Sequence, residues 1–194
     1  MILIALLLAI SPKFQQWAES PQAYFMTKAE RAEWAAITTD DAAQQFVDKF
    51  VASRGPDFIE EVKTRAAIAD KYLTVGKTPG SRSLRGKVII VLGPPSSMNV
   101  SQRVEKGEHS ATVSGYMNAA ADGGPSIDDV SGAARREGMS GKEFRDFTFT
   151  YRNLTVTVEA DAITGADRVP DRKQETALQE RFEEVGAKPV VKTK

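Results

Sequence analysis

The sequence predicts an α+β fold: N-terminal helices packed on a small, mostly antiparallel sheet, with a long flexible loop and a C-terminal helix. Three observations carry this. Helix caps and apolar stripes at helical spacing fill residues 27–73. Alternating apolar residues flank Arg152-Asn153 and mark a hairpin. The two patterns are segregated along the chain, which argues against a repeating βα arrangement.

Met1 to Ile10 reads MILIALLLAI, and all ten residues are apolar. A spanning helix needs ~20 such residues, so the run is half a bilayer long. It fits the apolar region of a secretory signal, and residues 1–11 are read as a signal peptide or its remnant. No Lys or Arg precedes it, and no clean small-x-small cleavage site follows it. The alternatives are a buried N-terminal helix or an uncleaved anchor. The expected location is periplasmic or secreted, and membrane-anchored if residues 1–10 are retained.

Residues 12–26 read as a linker whose aromatics (Phe14, Trp17, Tyr24, Phe25) dock on the domain. Thr27 and Glu30 form a capping box that opens a helix over 28–36. Thr38 or Thr39 caps the next helix, with Asp40 and Asp41 at the positive end of its dipole. Ala42/Ala43, Phe46/Val47 and Phe50/Val51 give it an apolar stripe. Arg54-Gly55-Pro56 breaks the chain. Asp57 with Glu60 is a further cap pattern, before a stripe of Phe58, Val62, Ala66, Ala69 and Leu73. Gly76 ends that helix, and Pro79-Gly80 turn the chain. Lys87 to Leu92 reads KVIIVL between Gly86 and Gly93-Pro94-Pro95, which predicts a strand buried on both faces. Residues 27–102 are thus helices plus a first strand.

Residues 103–142 hold seven of the chain's 14 glycines and few large apolar side chains, so they read as a flexible loop rather than core. Residues 143–170 form the hairpin region of the same domain: Phe147, Phe149 and Tyr151, then Leu154, Val156, Val158 and Ala160. A turn over Asp161–Asp167 leads to a short return strand at Arg168-Val169. Asp171 with Gln174 is a last capping box, opening an amphipathic helix over 171–185. Residues 186–194 read as a disordered basic tail.

The chain has no Cys and one His, which excludes disulfides, thiol catalysis, thiolate metal sites and His-rich metal sites. Its 26 basic and 26 acidic side chains cancel, against a globally basic nucleic-acid binder. No metal or cofactor is implied. Gly76-Lys77-Thr78 resembles the end of a phosphate loop, but Lys71 stands where the first Gly is required, and a helix precedes it instead of a strand. Glu108-His109-Ser110 lies in the loosest segment, without the rigid orientation a nucleophile needs. Asp161, Gly165 and Asp167 lack the ligand spacing of a calcium loop. The pairs Asp40/Asp41, Glu60/Glu61 and Glu183/Glu184 diverge by ~100° on a helix and do not share a proton by themselves.

The run from Thr27 to Ser97 resembles the GWxTD domain of bacterial envelope-associated proteins. The pieces, in order, are Glu30-Arg31-Ala32-Glu33, Thr39-Asp40, Phe46 and Phe50, Arg54-Gly55-Pro56, Arg65 with Ala69-Asp70, and Arg85-Gly86 before Gly93-Pro94-Pro95. The name-giving stretch departs from the pattern: it reads Gly80-Ser81-Arg82-Ser83-Leu84-Arg85-Gly86, without the Trp, Thr and Asp. The resemblance implies an exported bacterial protein of no established biochemical role. The sequence presents no intact catalytic set, so the expected function is a non-catalytic module binding an envelope protein or peptide. The expected groove lies beside the Gly93 turn, with Gly93, Pro94 and Pro95 lining it and Arg54 and Arg85 as anchors. The alternative role for each Arg is a structural salt bridge or carbonyl clamp. Two other functions compete: a hydrolase using Asp57 or Asp70 with Ser96 or Ser97, and a membrane-anchored structural protein.

Overall fold

The structure, a computed structural model, describes residues 10–106, 109–114 and 142–190. The fold is α+β. The chain divides into a helical unit (Met1–Thr74, Pro79–Pro94, Thr176–Lys194) and a sheet unit (Val75–Thr78, Pro95–Glu175).

In the helical unit, residues 12–26 are not a linker. They form α1 (Pro12–Ala18) and a 3-10 helix (Pro21–Phe25). Each opens on a proline, which is suited to the first helical position because its missing N–H has no partner there anyway. Phe14, Ala23, Phe25 and Met26 are buried, so this segment belongs to the core.

The next helices follow their caps. α2 (Lys28–Ala35) has the expected box: Thr27 Oγ1 accepts from Glu30 N at 3.3 Å, and Glu30 Oε2 accepts from Thr27 N at 2.8 Å. Thr39, not Thr38, caps α3 (Asp40–Arg54), which buries Ala43, Phe46 and Phe50. α4 (Phe58–Leu73) buries Phe58, Val62, Ala69 and Leu73. The aromatics interlock: Trp17 meets Phe50 edge-on at 5.5 Å, Phe46 stacks on Phe50 at 6.0 Å, and Phe25 meets Phe58 edge-on at 5.2 Å. Such pairs add about 0.5–1.5 kcal/mol each beyond area burial.

The expected strand over 87–92 is a helix. α5 spans Leu84–Leu92 and buries Val88, Ile89, Ile90 and Val91. A short segment buried all round has no amphipathic period, so apolar content alone cannot separate strand from helix. The deciding signals are at the ends. Ser83 Oγ accepts from Gly86 N at 3.0 Å as an N-cap. Gly93 leaves the helix at φ +82 and ψ −173, a region nearly reserved for glycine.

α6 (Arg172–Gly186) starts where Asp171 Oδ1 accepts from Lys173 N at 2.7 Å and Gln174 N at 3.2 Å. The reciprocal half of the expected box is absent, because Gln174 Oε1 accepts from Thr157 N at 2.9 Å instead. Leu178 and Phe182 are buried. The expected tail is ordered at its start: Gly186 ends α6, and Val190 N donates to Arg54 O at 3.0 Å. Residues 191–194 lie outside the described residues.

The sheet unit has strand order β2-β1-β3-β4-β5, and every pairing is antiparallel. The strands are β1 (Ser97–Lys106), β2 (His109–Ser114), β3 (Lys142–Tyr151), β4 (Leu154–Asp161) and β5 (Asp167–Arg168). The expected hairpin forms, with Tyr151 opposite Leu154, Phe149 opposite Val156 and Phe147 opposite Val158. These last four side chains are buried, while Asp146, Thr148, Thr157 and Glu159 share the other face. The flexible-loop expectation fails at both ends. Residues 103–106 complete β1, residues 109–114 form β2, and Lys142 opens β3. The rest of that loop (107–108 and 115–141) and the apolar run over 1–9 lie outside the described residues.

The Thr27 box also sets a pH dependence. Partial burial opposes ionisation of Glu30. The hydrogen bonds from Arg54 and Thr27 and the charge of Arg54 outweigh it and hold the carboxyl below its ordinary value. A depressed carboxyl stabilises the fold above its unfolded pKa of roughly 4.3, and that contribution disappears as pH falls through the lower folded value. Glu30→Gln is therefore expected to destabilise the helical unit at pH 7 and to lose its deficit against wild type below about pH 4. Urea melts followed by tryptophan fluorescence across pH 3–7 check this, since Trp17 and Trp34 both lie in the helical unit. A deficit independent of pH contradicts it.

Candidate functional site

The two arginines expected as ligand anchors point inward. Arg54, at the end of α3, is 4% exposed. Its Nη1 and Nη2 each donate to Glu30 at 2.6 Å, Nη2 also donates to Phe25 O at 3.2 Å, and the guanidinium lies 4.1 Å from the Phe50 ring centroid. Arg85 is 0% exposed, the largest fully buried side chain among the described residues. Its Nε donates to Leu73 O, the last carbonyl of α4, at 2.6 Å. Arg65 of α4 reciprocates: its Nη1 donates to Ile90 O of α5 at 2.9 Å, while its Nε holds Glu61 at 2.8 Å. Helix C-termini leave carbonyls without intrahelical partners, and a cation satisfies both the hydrogen bond and the dipole. The carbonyl-clamp role fits these arginines, and the anchor role does not.

The Gly93 turn is the junction where the chain passes from one unit to the other, between Pro94 and Pro95. Gly93 is buried with the Arg65 guanidinium beside it, and Pro94 is exposed. Within the helical unit the expected groove does not form around Arg54 and Arg85, because neither reaches the surface. The residues of the hydrolase alternative fall in both units. Asp70 Oδ1 accepts from Ser81 N at 2.7 Å, and Asp57 stands at the N-cap of α4. Ser96 and Ser97 belong to the other unit.

The stretch over residues 80–86 has a packing role. Ser83 caps α5 and also donates to Gly80 O at 2.7 Å. A Cβ on Gly86 would land on Gly80 O, and one on Gly80 would land on Ala69 O.

One charged cluster escaped sequence reasoning. On the polar face of the sheet, Glu159 accepts from Arg168 Nε at 2.6 Å and forms an ion pair with Arg103 Nη2 at 2.8 Å. Asp146 lies 3.5 Å from Arg103. Both guanidiniums approach the Phe144 ring, at 5.2 and 5.3 Å. Burial pushes the Asp146 carboxyl up, Glu159 adds to this, and the two arginines oppose it. The charges cancel inside the cluster, which ties β1, β3, β4 and β5 together. Its sequence signal is a pair of carboxylates alternating with the apolar positions of the hairpin, while Arg103 opens the stretch 103–142 that reads as a loop.

The remaining sequence candidates resolve as turns or lie outside view. Val75–Thr78, which contains Gly76-Lys77-Thr78, is a tight turn closed by Val75 N to Thr78 O at 3.3 Å and Thr78 N to Val75 O at 3.1 Å. Asp161 Oδ1 accepts from Thr164 N at 2.8 Å and Ile163 N at 3.0 Å, and these bonds hold its carboxyl below the usual range. Its lone pairs thus shape a turn rather than a calcium loop. Glu108 lies outside the described residues, as do the side chains of His109 and Ser110. Among the described residues no cluster of three or more His, Asp or Glu could hold a metal ion. No described helix is long and apolar enough to cross a membrane. A depression of about 310 Å³ in the helical unit is lined by Lys13, Phe14, Gln16, Trp17, Gln44 and Val47, and it holds no acid–base pair. No family model matches the chain, and no curated protein or solved structure matches it either.

The two edges of the sheet differ. At one, β5 pairs with Glu159 and Ala160, Gln174 takes the Thr157 N–H, and Pro170 follows two residues after β5. At the other, β2 pairs only with β1 among the described residues.

Proposed function

We propose that the chain is a non-catalytic module of the bacterial cell envelope that binds a protein or peptide partner as an added strand along β2. The β2 edge, which pairs only with β1 among the described residues, carries this reading. Natural edges avoid pairing through proline, lysine, bulges or a covering segment. Residues 110–114 read SATVS, with neither proline nor charge, whereas the β4 edge is blocked by β5 and Gln174. Strand addition draws its affinity from main-chain hydrogen bonds, so it needs no conserved catalytic constellation and no deep pocket. The envelope location rests on the apolar run Met1–Ile10 and on the motif pieces shared with GWxTD domains. The partner sought is an extended segment of an envelope protein.

Two proline variants test the edge. Neighbouring residues of an antiparallel strand send their N–H groups to opposite sides. Thr112→Pro and Val113→Pro therefore remove one donor facing β1 and one facing away from it. Peptides selected from a displayed dodecapeptide library on the full chain serve as probes. The outward-facing variant is expected to keep its urea midpoint and weaken peptide binding at least tenfold. Unchanged affinity in both folded variants overturns strand addition.

A further inference from the structure

We propose that Lys87 is the fastest-reacting lysine among the described residues and a site of covalent modification by small acyl electrophiles. Lys87 and Arg85 are the only charged residues of α5. Arg85 is fully buried and donates from Nε to Leu73 O of α4, but Lys87 is differently placed. Its Nζ sits 4.7 Å from the Phe182 ring centroid of α6 and 5.8 Å from that of Tyr24 in the 3-10 helix. Among the described residues the Nζ donates no hydrogen bond and joins no ion pair. The carboxylate nearest in charge, Glu183, is taken: it pairs with Arg31 of α2 and accepts from Lys28 N at 2.7 Å.

The charged and titratable groups facing Lys87 are therefore Arg31, Glu183 and Tyr24. Two aromatic faces attract an ammonium but supply no oxygen acceptor for its three N–H donors. The neutral amine loses less by this placement than the ammonium does. Burial lowers the pKa of Lys87, the charge of Arg31 lowers it further, and Glu183 opposes both. More of this amine is thus unprotonated near neutral pH than of a solvated lysine, and the unprotonated amine is the nucleophile.

The step balances without any oxidant or cofactor. The Nζ lone pair attacks the carbonyl carbon of an anhydride or thioester. The N–C bond forms, the bond from that carbon to the leaving oxygen or sulfur breaks, and the leaving group departs with the electron pair. The surplus proton on nitrogen passes to water, leaving a neutral amide between the two rings.

Limiting acetic anhydride on the full folded chain at pH 7.5, followed by peptide mass spectrometry, tests this. Lys87 is expected to acetylate at least fivefold faster than Lys49, Lys63 and Lys188, whose side chains are 76%, 62% and 60% exposed. Its rate is expected to reach half-maximum at lower pH than theirs. Arg31→Gln removes the neighbouring cation and is expected to move that midpoint upward. In guanidinium chloride the preference for Lys87 is expected to vanish. Equal or slower labelling of Lys87 in the folded chain overturns the proposal, and so does a preference that survives denaturation.

Discussion

Gly86→Ala is expected to unfold the helical unit or to cost it about 4 kcal/mol or more, the range reserved for severe core disruption. Helix propensity argues the other way: alanine in a helix interior is favoured over glycine by roughly 1 kcal/mol. Sterics decide the sign. The new Cβ would occupy the place of the Gly80 carbonyl oxygen. Gly80 cannot retreat, since it presses on the Ala69 carbonyl of α4, Thr74 Oγ1 holds its N–H at 3.1 Å, and Ser83 Oγ holds its carbonyl at 2.7 Å. Three backbone segments would have to move together. Gly93→Ala makes a graded comparison. A Cβ there meets only the Arg65 guanidinium at ordinary contact distance, so its cost is backbone strain alone, about 1–3 kcal/mol. Urea melts monitored by tryptophan fluorescence report the helical unit selectively, because both tryptophans lie in it. Gly86→Ala with a midpoint at or above that of Gly93→Ala contradicts the packing of α5 on the Gly80 turn.

The elements legible in the sequence were those fixed by bonds between near neighbours. Thr27 with Glu30, Thr39 with Ala42 and Asp171 with Lys173 each close within three residues, so the residue types are sufficient to place the helix starts. The Phe147–Val158 hairpin was legible because its two faces differ in polarity. α5 was not, because its run from Val88 to Leu92 is apolar at every position and so has no period to read. β1 was hidden for a related reason: Gln102 interrupts the alternation of Met98, Val100 and Val104, and β3 supplies the pairing that the local sequence does not advertise. The site residues were legible as unusual and misread in direction. Arginine at a chain break looks like an anchor for a ligand. Here the unsatisfied carbonyls are those of the chain's own helix ends, so the guanidiniums turn inward.

Arg85→Ala is the second large expected effect, and Arg85→Met divides it into parts. Alanine deletes the largest buried side chain among the described residues and leaves Leu73 O without its 2.6 Å donor. Large-to-small core substitutions cost about 2–5 kcal/mol, and an orphaned buried acceptor about 1–3 kcal/mol. The two overlap, so roughly 4 kcal/mol is expected at pH 7, again read by tryptophan fluorescence in urea. Methionine fills most of the volume without a donor and is expected to lose only the acceptor share, about 1–3 kcal/mol. Arg85→Lys keeps a charge but not the planar fork, and its shorter reach is expected to place it between the two. The order wild type, then Met or Lys, then Ala distinguishes a carbonyl clamp from a ligand anchor. A ligand anchor would leave the midpoint of Arg85→Ala near wild type and lose binding instead. Burial of the whole guanidinium makes that outcome the less expected one, since a partner cannot reach a side chain that water does not.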